Sequence, residues 1–344
     1  MATATLERAH KELFRRTPDE CFDSFESLYQ RCNRDREQSS DCWIHPKNLV
    51  VTHDMTACLG DNPDFTFNDW SFSQLCRMAK VSKDTINRLT PKTASRVFEE
   101  TLPRSSDKPL QFLTQQKQIR SVHGASYTRL WNIELLDLVK EFASDFSPPQ
   151  MAMDGTSTGL YCGEQDMFVF LIDPTGWAEI DGEAFAPGFF LWNSEVGRRS
   201  LGIQSFWFQK ICQNHIVWDA CEVIEFTRKH TTNVHDGLSQ ISRIIEGLIA
   251  KRDQRRDGFV DVMRKAMRKK LGDDADEVAK QLSKHCIPRT LIKKAIQIAE
   301  RKGAFTIYAL VDALTQLSQN VQIAGDRTEL DAKIGQLLSL VQVA

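Results

Sequence analysis

The chain has 344 residues, 41% hydrophobic and 26% charged, with a formal net charge of −2. This is the composition of a globular protein long enough to bury a core without covalent staples. It excludes a polycation, so any contact with nucleic acid has to come from local clustering of Lys and Arg.

The nine cysteines (Cys21, Cys32, Cys42, Cys58, Cys76, Cys162, Cys212, Cys221 and Cys286) are scattered with no CxxC pair, which argues against a disulfide framework and a zinc ribbon. Residues 1–16 lack the apolar stretch of a signal peptide, and no run reaches the ~18 apolar residues of a membrane span. The expectation is a soluble, cytoplasmic protein with no membrane partner.

Residues 5–14 and 22–31 read as short helices, the second with Phe22, Phe25 and Leu28 on one face. Residues 43–55 read as a strand centred on Leu49-Val50-Val51-Thr52, and 61–69, with Asn62-Pro63, as a loop. Residues 70–89 read helix, turn, helix. Leu75, Met78 and Ala79 line one face, Ser82 caps the second helix, and Thr85, Ile86 and Leu89 follow. A DNA-binding helix-turn-helix has this order and would aim Lys83, Asn87 and Arg88 at the bases. Two ordinary packed helices have it too, and Lys80 occupies the turn position where a glycine is usual.

Helix continues over 93–100. Residues 110–114 and 119–122 form a hairpin-like pair, and 132–142 a helix with Leu135, Leu136, Leu138, Val139 and Phe142 as its apolar stripe. A loop at 154–158 leads into the stretch 160–218, which holds Trp177, Trp192, Trp207 and Trp218. There the continuous apolar run 167–172 reads as a strand covered on both faces, and 189–192 as another. Residues 201–217, with Phe206, Phe208, Ile211 and Cys212, read as an apolar helix.

A strand at 222–227 precedes a helical C-terminal region, with helices over 276–284, 290–301, 306–318 and 328–340. The expected fold is α+β, a central antiparallel sheet packed by helices with a helical C-terminal region. It divides into an N-terminal extension (1–69), a helical pair (70–108), a β-rich core with the apolar helix (109–233) and the helical region (234–344).

Two segments concentrate candidate phosphate contacts. The turn Asn193-Ser194-Glu195-Val196-Gly197-Arg198-Arg199 combines glycine with Asn193, Arg198 and Arg199, which supply bidentate donors and positive charge. The same composition serves a structural turn in which Glu195 pairs with an arginine and Asn193 caps the hairpin. The second segment is a basic helical stretch with Lys251, Arg252, Arg255, Arg256, Arg264, Lys265, Arg268 and Lys269, offset in part by Asp253, Asp257 and Asp261. The tryptophans are candidates for base stacking or for core. Asp166, Asp173, Glu179 and Asp181 fall on or beside adjacent strands, as carboxylates that hold Mg²⁺ for phosphodiester cleavage would. His45, His53 and Asp54 form a thinner metal-ligand set. No phosphate loop, nucleophile elbow or dinucleotide loop occurs, so no cofactor is expected.

The strand Gly188-Phe189-Phe190-Leu191-Trp192, the turn Asn193 to Gly197, the pair Ser200-Leu201 and the sequence Cys212-Gln213-Asn214 resemble a phage- and plasmid-encoded family catalogued as domain of unknown function 932. The segment from Ile119 to Tyr127 resembles that family's upstream hairpin. The likeness spans roughly residues 70 to 340, is specific at 188–215, and implies an origin in a mobile element. A strand, a polar turn and a Ser-Leu entry into a helix are also similar to the core of recombination-mediator-type single-strand annealing proteins, which form rings and hold single-stranded DNA in a basic groove.

Together these set the expectation of a non-catalytic nucleic-acid-binding protein of a phage or plasmid in a bacterial host, acting on single-stranded DNA in recombination or replication. A homo-oligomer and a host or phage protein are further expected partners. The alternatives are a metal-dependent nuclease and an interaction protein that modulates host defence.

Overall fold

The structure is a computed structural model that describes residues 21–103, 106–148, 159–209, 215–218, 224–301, 303, 305–318 and 324–341. Two mostly antiparallel sheets carry the chain's apolar strands. The smaller sheet joins β2 (Ser39–Ile44), β3 (Leu49–Val51), β4 (Ala57–Leu59), β5 (Asn62–Phe67), β6 (Leu110–Gln115) and β7 (Gln118–Gly124) in the order β2-β6-β7-β5-β4-β3. Only β5 and β7 run parallel. The larger sheet has the order β1-β8-β9-β11-β12-β13, from β1 (Cys21–Phe22), β8 (Leu160–Cys162), β9 (Met167–Ile172), β11 (Glu183–Asn193), β12 (Leu201–Gln209) and β13 (His215–Trp218). In addition β10 (Ala178–Ile180) pairs with β11, and β14 (Glu225–Arg228) with β12. The α+β expectation holds.

The apolar run of β9 shows why a strand at the centre of a sheet loses its alternating signature. Met167, Val169 and Leu171 join the core on one face, and Phe168, Phe170 and Ile172 join the core on the other. The first face is covered by α1 (Phe25–Glu37), α5 (Asn132–Phe142) and α6 (Asp236–Ala250), whose Leu28, Cys32, Leu135, Leu136, Ile241 and Ile245 pack against it. Two-residue steps along β11 and β12 carry that same face on to Phe185 and Trp207, which join the core of the C-terminal helices. These are α7 (Arg252–Arg268), α8 (Ala275–Lys284), α9 (Arg289–Arg301), α10 (Ile307–Ser318) and α11 (Ala324–Ser339). Trp207 is 1% exposed and stacks on Phe259 with ring centroids 3.9 Å apart, which ties the helical group to the large sheet. The opposite face is aromatic, with Tyr161, Phe168, Phe170, Phe206 and Phe208 buried and Trp177, Phe190 and Trp192 partly so.

Several expectations are corrected. Residues 201–209 form the strand β12, not a helix. It pairs with β11 on one side and with β13 and β14 on the other. A short continuous apolar run fits either element, and here the aromatic content and the sheet context decide. Residues 62–67 form β5, not a loop. The basic residues from Arg252 to Arg268 lie on one helix, α7, which a break at Lys251, where φ is −98° and ψ 13°, separates from α6. The small sheet also takes strands from both sides of the boundaries drawn at 69 and 108, so residues 39–67 are part of a sheet rather than an extension. The expected helix at 5–14, the loop at 154–158 and the sequence Cys212-Gln213-Asn214 lie outside the described residues. Among those described, no helix is long and apolar enough to cross a membrane.

Candidate nucleic-acid interface

The Asn193–Gly197 turn ends β11 where the two sheets meet, and its side chains point inward. Glu195 is 3% exposed. Its carboxylate pairs with the Arg120 guanidinium of β7 at 3.3 Å and accepts the Asn132 backbone N–H at 2.9 Å, at the start of α5. Asn193 donates from Nδ2 to the Leu130 carbonyl at 3.0 Å and to Asn132 Oδ1 at 2.9 Å. The Ser194 hydroxyl donates to the Gln165 carbonyl at 2.5 Å and accepts the Arg198 backbone N–H at 2.9 Å.

The turn's carbonyls are also held. Arg129 donates to that of Glu195 and is clamped by Asp41, with Nη2 to Oδ1 at 2.7 Å. The Tyr127 hydroxyl donates to the Glu195 carbonyl at 2.9 Å. Trp70 Nε1 at 2.9 Å, Gln74 Nε2 at 3.3 Å and His123 Nε2 at 3.0 Å converge on the Val196 carbonyl.

Gly197 has φ +71°, and an added Cβ would stand 2.5 Å from the His123 ring and 2.9 Å from that of Tyr127. The position therefore requires glycine on both counts. The rings above it form a stack, His123 on Tyr127 at 3.6 Å and Tyr127 on His230 at 5.5 Å. Burial, reinforced by the Arg129 charge, pushes His123 down to about 3. Burial does the same to His230, down to about 4. Burial raises the Tyr127 phenol. All three are uncharged near neutrality.

Arg198 and Arg199, the expected phosphate contacts, have side chains only 7% and 9% exposed. Both lie against the buried Asp166 carboxylate, Arg199 at 2.8 Å and Arg198 at 3.9 Å, and Arg198 also donates to Gln165. Asn193 is fully buried. The turn is a polar joint between the sheets, α2 (Asp69–Met78) and α5, and it presents no cation to a ligand.

The basic stretch disperses. Arg252 pairs with Asp145 at 2.9 Å and with Asp173. Arg255 is buried beside Phe146, Pro187 and Gly188. Arg256 pairs with Asp253 at 2.9 Å and Asp257 at 3.3 Å, and Lys265 with Asp261 at 2.6 Å. Lys269 donates to the Leu340 carbonyl at 2.9 Å. Lys251 is exposed. Arg264 and Arg268 are exposed on one face of α7 with no carboxylate partner among the described residues.

The four carboxylates of the nuclease alternative do not meet. Asp166 precedes β9 and Asp173 follows it, so a strand of six residues separates them by roughly 20 Å. Each is paired to an arginine, whereas Glu179 and Asp181 are exposed. No group of three or more His, Cys, Asp or Glu able to hold a metal ion occurs among the described residues, His45, His53 and Asp54 included. The helix after the 79–82 turn, α3 (Lys83–Ile86), has four residues, and its Lys83 pairs with Asp69 of α2. One turn of helix is too short to lie along a major groove, so 69–86 is a packed helical pair.

A different cluster is open. A groove of about 810 Å³ runs between α8 and α9, floored by Ala279 and Ile292. Lys280 and Lys284 line it from α8, Arg289 and Lys293 from α9, and Asp276 is the one acid among its lining residues. All four cations are exposed, and among the described residues none pairs with a carboxylate. The sequence carried a signal for them, two i,i+4 basic pairs on consecutive helices either side of Pro288. The denser runs of basic residues at 251–270 overshadowed it. No protein-family model, curated protein or solved structure matches the chain significantly.

Proposed function

We propose that the protein binds nucleic acid without catalysis and that the α8–α9 groove is the contact surface, with single-stranded DNA of a mobile element as the ligand class. The observation that carries this reading is the lining of one open groove by four exposed cations, none of them ion-paired among the described residues. Like charges four residues apart on a helix repel by about 0.2–0.5 kcal/mol per pair, and a bound polyanion relieves both pairs at once. The i,i+4 spacing advances about 6 Å along each helix, a step suited to successive phosphates of an extended strand. The partly exposed Ala279 offers an apolar surface to bases or sugars. Because β12 is a strand, the turn-to-helix order shared with annealing proteins is lost, and the reading stands on the groove instead.

Fluorescence anisotropy with labelled single-stranded DNA, duplex DNA and RNA across a salt series tests it. Four phosphate contacts predict a log–log salt slope of about −3 on a single strand. The triple variant Lys280→Glu, Arg289→Glu, Lys293→Glu is expected to lose binding at every salt concentration. Absence of binding at low salt, or binding untouched by the triple variant, removes the reading.

A further inference from the structure

Three sulfur atoms meet beneath α1, far from the groove in sequence. Cys32 is one of two buried residues on α1, one turn after Leu28, and faces the large sheet. Cys162 closes β8 and Met167 opens β9. They are direct partners in the antiparallel ladder, so both side chains leave the sheet on the face that α1 covers. Cys32 Sγ lies 3.8 Å from Cys162 Sγ and 3.8 Å from Met167 Sδ. All three residues are buried, at 1%, 3% and 0% exposure.

We infer that Cys32, Cys162 and Met167 form a trigonal site for a soft monovalent ion of the Cu(I) class. Two thiolates and a thioether are the donor set that selects Cu(I). With metal–sulfur bonds of about 2.3 Å, three ligands around an ion in their plane stand about 4.0 Å apart. The two contacts of Cys32 are already at nearly that separation.

No histidine or carboxylate completes a tetrahedron among the described residues, which disfavours Zn²⁺, an ion that takes four ligands in structural sites. Binding forms two Cu–S thiolate bonds and one Cu–S thioether bond and releases the two thiol protons to solvent, with no change of oxidation state. The loaded site then carries one net negative charge. Asn132 Nδ2, 3.8 Å from Cys162 Sγ, is placed to donate to it, and the Arg31 guanidinium acts electrostatically on both cysteines. Glu195 and Asp35 act on Cys32 in the opposite sense. Without an ion, the hydrogen bond to Cys162, burial and these carboxylates keep the Cys32 thiol protonated, so Cys32 is not a ready nucleophile.

Anaerobic titration of the full chain with Cu(I) against bicinchoninate tests the assignment. The expected result is one tightly held equivalent per chain, with a copper-edge absorption spectrum that fits three sulfurs at about 2.3 Å. Cys32→Ser and Cys162→Ser should each lose that equivalent, and Cys286→Ser, which removes an exposed thiol, should keep it. Met167→Leu conserves volume and fold and should weaken retention by roughly tenfold or more. It decides the matter if circular dichroism shows either serine variant unfolded. No uptake in competition with the chelator, uptake that survives both serine variants, or an unchanged affinity in folded Met167→Leu would mean that the sulfurs are packing and nothing more.

Discussion

The Asn193–Arg199 turn and the α8–α9 groove use the same currency, cationic side chains with polar neighbours, and spend it in opposite ways. In the turn, each of three arginines is answered by an acid: Arg120 by the buried Glu195, Arg199 by the buried Asp166, and the buried Arg129 by Asp41 at the surface. In the groove, four cations face one another and water. A buried ion pair contributes little net stability relative to an apolar pair, yet breaking one is expensive because the surviving charge is left in a poor dielectric. An exposed, unpaired lysine is cheap to replace and free to meet a ligand. Interior arginines therefore report on architecture, and exposed ones on partners.

The largest expected effect lies in the turn. Glu195→Ala removes the partner of Arg120 and the acceptor of the Asn132 N–H, and it should cost about 3–5 kcal/mol in urea unfolding. Glu195→Gln, which keeps an acceptor, should cost less. A loss below about 1 kcal/mol for the alanine variant would mean that the turn is wetter and looser than its burial implies, and the contrast between the two regions would lose its basis.

How much of this contrast the sequence disclosed depended on the distance between partners. The helix at 132–142 and the C-terminal helices were legible because their apolar spacing is local. The Asn193–Gly197 turn was legible as a special place because its residue types are unusual between two apolar strands. Its environment was not legible. The acid that neutralises Arg199 lies 33 positions earlier, and the arginine that meets Glu195 lies 75 positions earlier. Only the folded sheets bring them together. Strand β12 was misread for a related reason. It is covered on both faces and paired on both edges, so its side chains carry no polar alternation. In the groove each helix's basic pair was visible locally, but their shared opening depends on how α8 packs against α9.

The ring stack over Gly197 gives the next effect, through pH. His123 and His230 hold protons more weakly folded, at about 3 and about 4, than their ordinary value of 6.5. Between those values and 6.5 the unfolded chain binds more protons, so stability falls as pH drops below about 6.5. At 1.36 kcal/mol per pH unit, each histidine should account for about 1–2 kcal/mol of the loss between about pH 7 and about pH 5. Urea midpoints at the two values, compared with those of His123→Gln and His230→Gln, isolate this share from that of the carboxylates. Equal pH slopes in wild type and variants would place the rings in contact with water.

The smallest effect on stability is expected where the effect on binding is greatest. In Lys280→Glu, Arg289→Glu, Lys293→Glu, no ion pair with a described residue is broken. Its unfolding midpoint should stay within about 0.5 kcal/mol of wild type, the usual range for surface changes. The converse pair, Arg198→Gln with Arg199→Gln, takes both guanidinium groups away from the buried Asp166 carboxylate. It should lower the midpoint while leaving the salt slope of DNA binding, measured on protein still folded, as in wild type. Both variants measured in both assays give a two-by-two comparison in which stability and binding move separately. If the turn variant also flattened the salt slope, the two arginines would have to leave Asp166 for phosphate when nucleic acid arrives, and the division between architectural and ligand-facing cations would describe the free protein only.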